Sequence, residues 1–144
     1  MRSSILLTLL LAPPALANEQ SEVEAAIIAK SEAVTGQAVS ATYSLFQITD
    51  GWALAYGSLE SADGSGLDWS KLAECDHDLD KGLWAVMQQV ESGEWNFVDY
   101  AACASEPPFW YIDLAAHEGP CELFEGIQRE ASLMMDQECR ESRK

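Results

Sequence analysis

The sequence predicts an α+β domain in which an N-terminal helix, a four-stranded antiparallel sheet of two hairpins and a C-terminal helix are stapled by disulfides. Three observations lead there. Two pairs of β-rich runs each flank a two-residue turn signal, Asp50-Gly51 and Ser92-Gly93. Apolar residues recur at helical spacing before and after that block. Cys75, Cys103, Cys121 and Cys139 are an even count behind an export-type leader, which points to two disulfides rather than a metal site.

The leader comes first. Met1-Arg2 opens with a positive charge, Ile5 to Leu11 is apolar, and Ala15-Leu16-Ala17 has the small-x-small form of a cleavage site. Residues 1–17 are therefore expected to be a secretory signal peptide, and residues 18–144 one domain that is periplasmic or secreted. The apolar stretch is far below the ~18 residues of a spanning helix, so no membrane association is expected once the leader is gone. No cysteine follows the small residues, which argues against a lipid anchor.

Ser21-Glu22-Val23-Glu24 reads as a capping box that starts the first helix. Val23, Ala26, Ile27, Ala33 and Val34 recur along it, and Gly36 stands where a helix stops. In the first hairpin, counting from Asp50-Gly51 pairs Leu45 with Tyr56 and Tyr43 with Ser58 on one face, and Phe46 with Ala55 and Ile48 with Ala53 on the other. Ser61 to Ser70 is a loop by its Gly, Ser and Asp content, with Trp69 placed to pin it down. In the second hairpin, a Ser92-Gly93 loop pairs Val90 with Trp95, Gln88 with Phe97, Val86 with Asp99 and Trp84 with Ala101. Both sheet faces are largely apolar, so each needs a cover, and the flanking helices are the candidates.

From about Pro120, Leu123, Phe124, Ile127, Ala131, Met134 and Met135 share a helical face, which predicts the second helix. That expectation constrains the disulfides. On one continuous helix Cys121 and Cys139 would stand ~27 Å apart, beyond the ~7 Å Cα limit of a disulfide. Cys75 with Cys139 and Cys103 with Cys121 is then the preferred pairing, the crossed set being the other. A break at Gly126 would instead allow Cys121 to bond Cys139.

Charge bounds the function. With 24 acidic against 8 basic residues the chain carries a formal net charge of −16. Removing the leader takes Arg2 and no acid, which makes the remainder one unit more negative. Such a surface repels nucleic acid and anionic head groups and steers cationic partners toward itself. Acidity also serves solubility alone.

The runs WNFVDY (95–100), ASEPP (104–108) and GPCELF (119–124), with GWALAYG (51–57) and LDWSK (67–71), resemble a family of small exported bacterial proteins of unassigned function. Members carry a Trp-x-Val-Val-Asp strand, a Thr-Asp turn, an aromatic loop and a Pro-x-x-Leu-Phe helix start. The likeness covers about half of residues 18–144 and its motifs are structural. Glu106 stands where the family tends to have Asp, and Cys103 where it tends to have Gly. The resemblance implies a helix and curved sheet similar to cystatin-like or NTF2-like domains, and no activity.

Few residues are candidates for chemistry. Asp76, Asp78 and Asp80 alternate as in a calcium loop, because hard cations take clustered carboxylates. Counting Asp76 as the first position, however, Lys81 occupies the place of the turn glycine and Met87 that of the bidentate glutamate, so the EF-hand template fails. His77 beside Cys75 lacks the further ligands of a transition-metal site, and His117-Glu118 has no second histidine at helical spacing. Asp99, expected on one face with Trp84, Trp95 and Phe97, is the carboxylate whose surroundings suit a raised pKa and acid or base work. No nucleophile elbow or phosphate loop accompanies it, and the sequence implies no cofactor. Phe109, Trp110 and Tyr111 follow a proline pair and form a candidate protein-binding edge, since Trp and Tyr are common anchors.

Three readings follow: a non-catalytic exported binding module for a cationic protein, an enzyme on an NTF2-like scaffold with Asp99 or His77 as acid or base and a small ligand near Asp99, and a calcium-stabilised structural protein.

Overall fold

The computed structural model of the chain describes residues 14–72, 75, 81–104, 118–130 and 133–144. Its elements are α1 (Pro14–Thr35), β1 (Val39–Thr49), β2 (Trp52–Ser61), β3 (Gly82–Gln89), β4 (Trp95–Ala104), β5 (Gln128–Glu130), β6 (Leu133–Met134) and α2 (Met135–Ser142), with 3-10 turns at Trp69–Lys71 and Cys121–Phe124. Strands β1 to β4 form one antiparallel sheet in sequence order, and β5 with β6 a separate ribbon. The predicted α+β architecture is the one observed.

Helix α1 starts at Pro14 rather than at the expected Ser21 cap. Proline suits a first helical position and Ala15-Leu16-Ala17 extends the helix without strain. The Ser21 hydroxyl, no longer a cap, donates to the Ala17 carbonyl at 3.1 Å. The helix ends as expected, with the Gly36 N–H donating to the Glu32 carbonyl at 2.8 Å. Val23, Ile27 and Ser31, one helical stripe, are fully buried against the sheet.

The first hairpin turns at Asp50-Gly51, both at positive φ (49° and 73°), the geometry that matches the twist of paired strands. Its inner register is the expected one, Leu45 opposite Tyr56, Phe46 opposite Ala55 and Ile48 opposite Ala53. A bulge between Tyr43 and Leu45 then shifts Tyr43 opposite Gly57 rather than Ser58. Tyr43 consequently joins the α1 side, where its ring meets Phe46 edge-on at 4.9 Å. Gly57 makes this close approach feasible, since a Cβ there would stand 1.9 Å from the Thr42 carbonyl oxygen.

The second hairpin keeps Trp84 opposite Ala101 and Val86 opposite Asp99, but a bulge at Val98 pairs Met87 with Phe97 and Gln89 with Trp95. The loop is accordingly longer than the predicted Ser92-Gly93 pair, closed by the Val90 N–H on the Glu94 carbonyl (2.9 Å) and the Gly93 N–H on the Val90 carbonyl (2.8 Å). Because side chains alternate along a strand, one extra residue moves Trp95 and Phe97 to the α1 face.

Two cores result. Between α1 and the sheet lie Val23, Ile27, Ala53, Ala55, Leu83, Ala85 and Met87. On the opposite face Leu54, Trp84 and Val86 are covered by Cys121, Leu123, Phe124, Met135 and Cys139. The cover is not the predicted continuous helix. The chain makes a 3-10 turn, reverses at Gly126, forms the β5–β6 ribbon and enters α2 only at Met135.

That break corrects the disulfide assignment. Cys121 bonds Cys139 across 5.5 Å between Cα atoms, and Cys75 bonds Cys103 across 5.7 Å. Neither Cys75–Cys139 nor Cys103–Cys121 exists, because the reversal carries Cys139 back over Cys121. Two disulfides are compatible with an exported protein.

Candidate functional site

Asp99 sits on β4 opposite Val86, on the face of Trp84, which is 1 % exposed. Its Oδ1 accepts the Tyr100 backbone N–H at 2.9 Å, and Oδ2 is buried. Burial holds its carboxyl above the usual range, against the Tyr100 N–H and the Trp84 indole, which favour the charged form. The sequence placed Asp99 with Trp84, Trp95 and Phe97; the Val98 bulge leaves Trp84 there and moves the other two to the far face.

On that far face two tyrosines reach toward α1. The Tyr100 hydroxyl lies 2.8 Å from Ser31 Oγ, and burial raises its pKa despite that bond. Tyr43 is pushed up to about 12 by burial and then by the neighbouring Glu24 carboxylate. Both remain neutral phenols at physiological pH; Tyr100 ties the sheet to α1 through Ser31, whereas the Tyr43 hydroxyl is buried without a hydrogen bond.

At the start of α1 an open groove runs between the helix and the β3–β4 loop, lined by Asn18, Glu19, Glu22, Ala26, Gln89, Ser92, Gly93, Glu94 and Trp95. The loop is held by its own bonds, including Gln89 Nε2 to the Gly93 carbonyl (3.1 Å) and Ser92 Oγ to Glu94 (3.2 Å). On the helical wall Asn18 Nδ2 donates to Glu22 at 2.7 Å. Trp95 is partly exposed, and its Nε1 is buried. Three carboxylates therefore rim a depression with an indole in its wall, and among the described residues no lysine or arginine lines it.

Five of the basic side chains are engaged elsewhere. Lys71 pairs with Asp68 at 3.7 Å, and Arg140 meets Asp136, Glu125 and Glu122 at 2.5, 3.0 and 3.7 Å. Lys30 lies over the Tyr100 ring at 5.9 Å and Lys81 over Trp69 at 5.1 Å. Arg143 donates to the Gly119 carbonyl.

Sequence reasoning missed the groove. Glu19 and Glu22 repeat at helical spacing and Glu94-Trp95 follows a turn signal, but nothing in the sequence alone brings the two pairs together. His77, Asp76, Asp78, Asp80, Phe109, Trp110 and Tyr111 lie outside the described residues. Among the described residues no group of His, Cys, Asp and Glu is arranged to hold a metal, and no helix is long and apolar enough to cross a membrane. Comparison with protein-family models, curated proteins and solved structures found no match, so the site is read from its own geometry.

Proposed function

We propose that this chain is an exported, non-catalytic binding module that recognises a cationic protein. The observation that carries the reading is the unneutralised acidity: the net charge is −16, and Lys30, Lys71, Lys81, Arg140 and Arg143 are all held against the protein itself. A field of that sign accelerates encounter with a positive partner and disfavours nucleic acid. The leader-like start and two disulfides support work in an oxidising compartment, periplasmic or extracellular.

The test is capture of a lysozyme, as a cationic protein, on immobilised residues 18–144 in oxidised form, with an acidic albumin as control. Runs at about 0.01 M and about 0.15 M salt span Debye lengths of ~30 to ~8 Å. Saturable capture that weakens with salt is expected. Absence of capture of lysozyme and other cationic proteins at both salts would sink the reading.

A second reading, acid or base chemistry on a small ligand, is favoured by the partly buried carboxyl of Asp99, which burial holds above the usual range. It requires activity or ligand binding that Asp99→Asn abolishes while the fold persists.

A further inference from the structure

We infer that the outer edge of β1 takes an extended, basic segment of the partner as a fifth strand. This step rests on the cationic-partner reading and names the surface and the backbone chemistry that serve it. β1 is an edge of the four-stranded sheet, and its eleven residues, Val39–Thr49, include no charge and no proline. Edge strands are commonly guarded by lysine, proline, an inward charge or a bulge. Of these devices β1 has only the bulge between Tyr43 and Leu45. The other edge, β4, carries Asp99 and is tied near its end by Cys75–Cys103.

The free backbone groups follow from the pairing. Thr49 and Trp52 flank a two-residue turn and exchange both bonds, so Gln47 and Leu45 also point at β2 while Ile48 and Phe46 point away. Beyond the bulge the Ala62 N–H donates to the Ala38 carbonyl at 3.0 Å, which turns Ser40 and Thr42 toward β2 and Ala41 and Tyr43 outward. The Val39 N–H obeys the same alternation: it lies outside the ladder and donates to Glu32 Oε1 at 3.4 Å. Among the described residues nothing bonds the outward N–H and C=O groups of Ala41, Tyr43, Phe46 and Ile48. Their side chains pack on the α1 core but are only partly buried, so an added strand gains apolar contact as well as ladder bonds.

Charge selects the occupant. Glu24 stands beside Tyr43, Glu32 holds Val39, Glu60 lies opposite Ser40 and Asp50 follows the strand's last residue. A second copy paired edge to edge would join two chains of net charge −16 and set these carboxylates near their own likeness, whereas a basic segment meets them with opposite sign.

The experiment titrates isotope-labelled, oxidised residues 18–144 with acetyl-Lys-Val-Arg-Val-Lys-Val-amide and follows amide hydrogen exchange. Two counterparts serve as controls: one with glutamate at each basic position, and one methylated at every peptide nitrogen, which keeps the charge but cannot donate to a ladder. The basic peptide is expected to slow exchange saturably at Ala41, Tyr43, Phe46 and Ile48, the amides that point outward. Methylation should weaken binding at least about tenfold, about 1.4 kcal/mol, and the acidic peptide should not saturate. Equal affinity of the methylated peptide, or protection along β4 in place of β1, would overturn the inference. Protection of the same four amides in the free protein, with a dimer in sedimentation, would overturn it in favour of a second copy. Lysozyme capture unchanged by saturating basic peptide would overturn the edge and leave the cationic-partner reading standing. The peptide titration decides the edge even where no cationic protein is captured.

Discussion

At the residue scale, Asp99 couples stability to pH with a definite sign. Its folded pKa lies above the unfolded value because burial disfavours the carboxylate. The ionised form therefore costs stability above the folded pKa, and the cost disappears as pH falls toward the unfolded value. Asp99→Asn cannot titrate, so the melting temperature of the natural protein relative to the variant should rise between pH 7 and pH 4. Comparing the two thermal curves cancels the other carboxylates; a constant difference would show that Asp99 is not strained by its charge. Gly57→Ala tests a steric demand instead. Its Cβ would meet the Thr42 carbonyl at 1.9 Å, backbone that yields only by disturbing the β1 bulge, and a loss of about 2–3 kcal/mol is expected in denaturant titration. Ser31→Ala removes a partner from the buried Tyr100 hydroxyl and should cost about 1 kcal/mol by the same measurement.

At the scale of elements, each disulfide staples a different piece. Cys75–Cys103 ties the long β2–β3 connection to the end of β4, while Cys121–Cys139 closes the cap over Trp84 and Leu54. Replacing Cys121 and Cys139 with alanine frees an 18-residue separation and should cost about 3 kcal/mol. Hydrogen exchange should then accelerate first at α2 and residues 121–127, before β2 and β3; uniform acceleration would mean the cap and sheet unfold as one unit. The cap is also where sequence reading failed. Leu123, Phe124, Ile127 and Met135 satisfy a helical period, but the same spacing is met by a 3-10 turn, a ribbon and a short helix that all face one core, and Gly126 was the sign of the difference. The hairpins were legible because Asp50-Gly51 and alternation act locally. The bulges at Ser44 and Val98 were not, because a bulge is decided by strand pairing and leaves no residue-type signature, yet it moved Tyr43, Trp95 and Phe97 across the sheet. The groove was illegible for a similar reason: its walls meet only after Val98 has turned Trp95 toward α1.

For the whole molecule, the balance of charges predicts how salt acts on the fold. The isoelectric point near 4.2 and the net charge of −16 mean that like charges repel over most of the surface at neutral pH. The Arg140 cluster with Glu122, Glu125 and Asp136 opposes this locally, but these are exposed pairs of small individual worth. Screening weakens both effects, and the repulsion, having many more members, loses more. Raising salt from about 0.01 M to about 0.5 M should therefore stabilise the fold by about 1 kcal/mol, roughly 3 °C in melting temperature for a domain this size. A fall in melting temperature would instead mean that ion pairs such as Arg140–Asp136 outweigh the repulsion. The same salt should weaken a cationic partner, so stability and binding are expected to move in opposite directions along one titration. Surface acidity costs the free protein stability, and a bound positive partner would return part of it by neutralising carboxylates.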